Sequence, residues 1–160
     1  MAETLRFTAS GMRDQIYAEI LPQLEALMSR DEIANFANAA AVLKQALNFF
    51  WVGFYRVTAP NLLTVGPYQG DLACLEIPFG KGVCGAAART QKTIVVGDVD
   101  KFPGHIACSS RARSEIVVPY VRQGHTRFVL DVDSDKYDDF GAVDQAYLER
   151  VVSMIGSANP

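Results

Sequence analysis

Three cysteines and three carboxylates carry the types and spacings from which chemistry can be built. Asp131-Val132-Asp133 lies in an apolar run, Arg127 to Asp133, that reads as a strand. Alternate strand residues share a face, so the two aspartates point the same way while Leu130 and Val132 point the other. Two acids held that close repel. In a pocket such a pair either raises one pKa or demands a cation, which suits amine binding or acid catalysis; on the surface it would be a solvated strand end. Glu115 opens the preceding apolar strand. Near a buried face it keeps its proton at neutral pH and can give it up; exposed, it would pair with Arg111 or Arg113.

The thiols differ in setting. Cys108 sits among His105, Ser109, Ser110, Arg111 and Arg113. That basic, polar neighbourhood favours the thiolate, the nucleophilic form. Cys84 follows Gly82 at the start of a short Ala-rich segment. A helix start there would lower its pKa, and close packing among Gly82, Gly85 and Ala86 is the alternative. Cys74, beside Ala73 and Leu75, reads as a small buried hydrophobe. Trp51 and Tyr55 share one strand face and either wall an apolar slot or belong to the core.

An odd cysteine count argues against a fixed disulfide framework. A metal centre is not expected either, because no Cys-x-x-Cys exists and His105 with Cys108 supplies too few ligands. Gly80-Lys81-Gly82 lacks the rest of a phosphate loop.

These groups need a scaffold, and the chain of 160 residues suits one domain over 1–160, with a loosely ordered start over 1–10. Hydrophobic content of 49% is that of a globular protein, and a net charge of -3 with no dense basic run speaks against nucleic acid as partner. No stretch reaches the roughly 18 apolar residues that cross a membrane. The start has no signal-like pattern, so a cytoplasmic, thiol-reducing setting is expected.

Helical spacing covers Met12 to Met28, with an expected break at Pro22. A second helix follows a cap at Asp31, with Ile33, Phe36, Ala40, Leu43 and Leu47 as its stripe. Aromatic and β-branched residues predict strands at Phe49 to Val57, Leu62 to Val65, Ala73 to Ile77 and Thr93 to Val96, with a short helix at Val83 to Arg89. A long connection, Gly97 to Arg113, carries Cys108; loops of that length inside a domain are usually functional or mobile. Glu115 to Val121 and Arg127 to Asp133 form a hairpin, and a last helix runs from Ala142 to Ile155. The order predicts an α+β domain, a mainly antiparallel sheet with the terminal helices packed on it. Those helices are amphipathic enough to support a homodimer.

Several blocks together resemble one family. They are Trp51-Val52-Gly53-Phe54-Tyr55, Gly66-Pro67-Tyr68-Gln69-Gly70, Ile77-Pro78-Phe79-Gly80-Lys81-Gly82-Val83-Cys84-Gly85, Phe102-Pro103-Gly104-His105-Ile106-Ala107-Cys108, Arg113-Ser114-Glu115 and Val129-Leu130-Asp131-Val132-Asp133. They are similar to the free methionine-(R)-sulfoxide reductases, a catalytic offshoot of the GAF domains. The resemblance implies a GAF-like fold with a six-stranded antiparallel sheet and helices on its faces. It implies a thiol-dependent oxidoreductase acting on free methionine (R)-S-oxide, without metal or organic cofactor. By carry-over Cys108 is the attacking cysteine and Cys84 and Cys74 resolve it, Cys84 ahead of Cys74. Glu115, Asp131 and Asp133 match the substrate-binding acids, Glu115 also as proton donor, and Trp51 and Tyr55 the aromatic wall. A thioredoxin-type dithiol would recycle the enzyme. Two other readings compete, a small-molecule-sensing GAF module and a thiol peroxidase or redox sensor.

Overall fold

The computed structural model describes residues 4–160. Its elements run α1 (Arg13–Ala26), α2 (Glu32–Leu47), β1 (Trp51–Ala59), β2 (Leu62–Gln69), β3 (Glu76–Pro78), α3 (Gly82–Thr90), β4 (Ile94–Val96), a 3-10 turn (Val99–Lys101), β5 (Ser114–Arg122), β6 (His125–Ser134) and α4 (Ala142–Ala158). The strands form one sheet in the order β3-β2-β1-β6-β5-β4, every neighbouring pair antiparallel.

Local signals explain most boundaries. Asp31 caps α2 by accepting from the Ala34 amide at 3.0 Å, and the helix ends at Asn48 in the left-handed region. The β5–β6 hairpin turns on Gln123 and Gly124, both with positive φ, as a two-residue turn matched to strand twist requires. Pro22 does not break α1. Its ring lies on the exposed side, while Ile16, Tyr17, Ile20, Leu21 and Leu24 bury the other side. That burial outweighs the one backbone hydrogen bond that proline forfeits. The third strand is shorter and later than expected, because residues 73–75 are irregular. The expected loose start is docked where it can be described: the Arg6 amide donates to Gln23 Oε1 at 2.9 Å, and Leu5 and Phe7 pack on the core. Residues 1–3 of that segment lie outside the described residues.

Strand alternation sorts the sheet into two faces. Val52, Phe54, Ile116, Val118, Phe128, Leu130 and Val132 meet α1, α2 and α4 in the larger core, where Phe36 stacks on Phe54 at 4.4 Å and meets Phe128 edge-on at 4.9 Å. Trp51, Tyr55, Val117 and Val129 face the other way, with α3 and the connecting loops above them. The carboxylates lie on this second face.

Candidate active site

Register brings the acids together. Glu115 on β5 stands opposite Asp133 on β6, and Val117 stands opposite Asp131, so the three carboxylates occupy neighbouring places on one face. On the other side of β6, Gly53 of β1 faces Asp131. Above them comes the first turn of α3. Gly85 lets that helix settle close to β3, since a Cβ there would lie 2.4 Å from the Pro78 carbonyl oxygen. Cys84 Sγ consequently reaches to 4.0 Å from Glu115 Oε1. Glu115 and Asp131 are each 6% exposed and Cys84 3%.

Burial dominates the electrostatics. It pushes the Glu115 carboxyl well above its ordinary range, and the charges of Asp131 and Asp133 push it further. Asp133 rises for the same reasons, burial first and then Asp131. Asp131 is raised from 3.8 to about 6 by burial, held back by hydrogen bonds from Glu115 and Cys84 that favour its ionised form. All three carboxyls thus hold their protons more tightly than free ones, Glu115 and Asp133 well above their ordinary range and Asp131 at about 6. Asp131 Oδ1 is buried and has no hydrogen-bond partner among the described residues. A buried, charged acceptor with a free lone pair calls for a donor from a ligand. An ammonium group meets that need. The Cys84 sulfur and one oxygen each from Glu115 and Asp131 also lie within 4.8 Å of one another, a span that can hold a metal ion.

The expected lowering of the Cys84 pKa by its helix start is reversed. Burial raises it well above the ordinary thiol value, and the Asp131 and Glu115 charges add to that. A dipole at a short helix terminus is outweighed by loss of water and three nearby acids.

Cys108 is joined to Cys74, with Cα atoms 5.2 Å apart, and Cys84 is the free cysteine. This corrects the expectation that put Cys84 ahead of Cys74 as partner: Cys84 is sealed in the pocket floor, whereas Cys74 lies on the irregular segment alongside the Cys108 loop. Cys108 lines the cavity with His105, Ile106 and Ala112, opposite Cys84, Glu115, Asp131 and Asp133. With the disulfide closed, the cavity measures about 30 Å³.

Trp51 and Tyr55 share the face of the acids but do not line this cavity. Trp51 stacks on Tyr68 at 5.1 Å, and its indole Nε1 donates to the Asp71 carbonyl at 3.0 Å. Tyr55 donates its hydroxyl to the Cys74 carbonyl, also at 3.0 Å. The lining residues that residue-by-residue reading missed are mostly apolar, Ile77, Val83, Ile106 and Ala112. Nothing in their types marks them, because aliphatic residues line cores and pockets alike.

The GAF domain family model matches residues 28–158. Free methionine-R-sulfoxide reductase of Saccharomyces cerevisiae is 36% identical over 167 residues, spanning 98% of this chain and 93% of the yeast protein. The crystal structure of free methionine-R-sulfoxide reductase from Neisseria meningitidis in complex with its substrate superposes with a TM-score of 0.93 at 47% identity, covering 97% of this chain and 94% of that one. The chain belongs to the GAF-domain family, among its free methionine-R-sulfoxide reductases. GAF domain-containing protein A of Dictyostelium discoideum is also similar, 48% identical over 157 residues, with 97% of this chain and 99% of that protein covered. The six-stranded antiparallel sheet expected for this family is the sheet observed.

Proposed function

We propose that this chain reduces free methionine (R)-S-oxide to methionine, with Cys108 as the attacking sulfur and Cys74 as the resolving one. The observation that carries this reading is the Cys74–Cys108 pair, whose Cys108 lines the same cavity as three carboxylates. Asp131, ionised and with an unused oxygen, receives the substrate ammonium. The positive end of α3, Gly82 to Cys84 along the cavity wall, suits the substrate carboxylate. Glu115 and Asp133, whose carboxyls are held well above their ordinary range, face the sulfoxide oxygen and supply the donor that polarises it.

The Cys108 thiolate attacks the electrophilic sulfoxide sulfur while a carboxylic acid protonates the oxygen. The hydroxyl then passes from the substrate sulfur to the Cys108 sulfur, the substrate's sulfur–oxygen bond and the transient sulfur–sulfur bond both break, and Cys108 is left as sulfenic acid. Methionine leaves and Cys108 is oxidised by two electrons. The Cys74 thiol then displaces that hydroxyl, forming the disulfide and releasing water. An external dithiol of the thioredoxin type restores both thiols by exchange and is itself oxidised. Because Cys108 attacks as a free thiolate, the disulfide is reduced before the next substrate reacts. Cys84 has no place in this exchange; its buried thiol donates to Glu115 at 4.0 Å.

The test is NADPH consumption through thioredoxin reductase and thioredoxin, with free methionine (R)-S-oxide, its S epimer or peroxide as oxidant. Turnover with the R epimer, lost in Cys108→Ser while the variant stays folded, is expected. Near wild-type turnover in Cys108→Ser would remove the assignment, and turnover with peroxide alone would favour a thiol peroxidase.

A further inference from the structure

The segment that carries Cys74 has little structure of its own. Residues 71–75, between β2 and β3, form neither helix nor strand, and Leu72 and Leu75 are exposed. Sulfenic acid capture nevertheless requires Cys74 to stay beside Cys108. β2 restrains the end of the segment, the Val65 amide donating to the Leu75 carbonyl at 3.0 Å, and β1 beneath it restrains Asp71 and Cys74. Trp51 and Tyr55, on either side of Gly53, are 4% and 1% exposed and thus rigidly packed. Each sends its one polar hydrogen out of the core to a carbonyl of the segment, Trp51 to Asp71 and Tyr55 to Cys74 itself. Gly70 adds to the fit: its φ is +139°, and a Cβ there would lie 2.5 Å from the Trp51 ring, so the chain passes directly over the indole. The remaining tie to the Cys108 loop, Arg111 to Asp71 at 3.9 Å, is exposed at both ends and contributes little.

We propose that Trp51 and Tyr55 are positioning residues for the disulfide-forming step, holding the Cys74 segment by its Asp71 and Cys74 carbonyls within reach of Cys108. This rests on the sulfoxide reductase reading for its role in turnover, though not for its geometry. In the step concerned, the Cys108 sulfur–oxygen bond breaks, the Cys74–Cys108 bond forms, and the Cys74 proton leaves with the hydroxyl as water. Its rate depends on the effective concentration of Cys74 at Cys108, which preorganisation sets. Once the disulfide exists the segment is tethered regardless. Removing a hydrogen bond therefore loosens the reduced form more than the oxidised form, and closure becomes harder.

Tyr55→Phe and Trp51→Phe each delete one donor and keep an aromatic ring. Reduced protein is equilibrated with glutathione redox buffers, and the Cys74–Cys108 disulfide is counted by thiol alkylation and mass spectrometry. Each variant, folded by circular dichroism, is expected to weaken the disulfide about tenfold, which moves its potential up by about 30 mV. In a single turnover with methionine (R)-S-oxide, Cys108 sulfenic acid trapped by dimedone should outlast that of the wild type by a similar factor relative to methionine release. Wild-type glutathione equilibrium in either folded variant overturns the role of that residue, even where its KM for substrate changes. The glutathione measurement needs no substrate, so it stands or falls independently of whether the wild type reduces methionine sulfoxide.

Discussion

Replacing Asp131 by Asn separates what this site does for catalysis from what it does to stability. The carboxyl of Asp131 is raised from 3.8 to about 6, first by burial. Holding the ionised form inside the fold therefore costs about 3 kcal/mol relative to the protonated form. Asn keeps the size and one acceptor oxygen without the charge. Below about pH 4 the wild-type carboxyl is protonated in folded and unfolded chains alike, and the variant gains nothing. As pH rises towards 6 the unfolded chain ionises while the fold retains its proton, so the wild type loses stability through this window. Above it the whole difference persists. Asp131→Asn is thus expected to melt about 6–12 °C above the wild type at pH 8, a chain of this length shifting by about 2–4 °C per kcal/mol, and to melt with it near pH 4. The same variant loses the anion proposed to hold the substrate ammonium, and kcat/KM should fall at least about a hundredfold, or about 3 kcal/mol of transition-state binding. Calorimetry across pH 4–8, paired with the NADPH assay, measures both. A lower melting temperature at pH 8, or a gain that does not depend on pH, would refute the account of the cluster.

Cys74→Ser is expected to yield one methionine per chain in a burst and then stall, with dimedone labelling Cys108; steady thioredoxin-supported turnover would return the resolving role to Cys84. Glu115→Gln keeps a neutral donor that cannot release a proton, so kcat should drop about a hundredfold, and its residual rate should lose the part of the alkaline fall that Glu115 causes and keep the part that Asp133 causes. Stopped-flow pH profiles read both changes, and unchanged kinetics would return Glu115 to a structural role. Phe36→Ala removes a ring packed between Phe54 and Phe128 and should destabilise the fold by about 3–5 kcal/mol in chemical denaturation, with kcat unchanged under conditions where the variant is folded; a loss under about 1 kcal/mol would mean that the core closes over the gap.

Much of this was legible without coordinates. Capping at Asp31, the Gln123-Gly124 hairpin and the alternation around Asp131 and Asp133 are local matters of backbone geometry and side-chain period, and the blocks around Cys84 and Cys108 pointed to the family. The misreadings share a cause. Pro22 inside α1 survives because the packing of Ile20, Leu21 and Leu24 overrides a local cost. The low pKa expected for Cys84 considered the helix start alone, whereas solvent exclusion and three acids arriving from β5 and β6 set the outcome.

From residue types and order came the strands, the helices, the shared face of two aspartates and the presence of three thiols. Which thiols meet was decided elsewhere. Cys74 and Cys108 are 34 positions apart, and no local rule distinguishes that pairing from one with Cys84. Register places Glu115 across from Asp133, α3 descends onto them and seals Cys84 away from water, and two aromatic side chains bring the Cys74 segment to the rim. Proximity, burial and hence protonation are properties of the packed whole, because each depends on groups that the chain order keeps far apart.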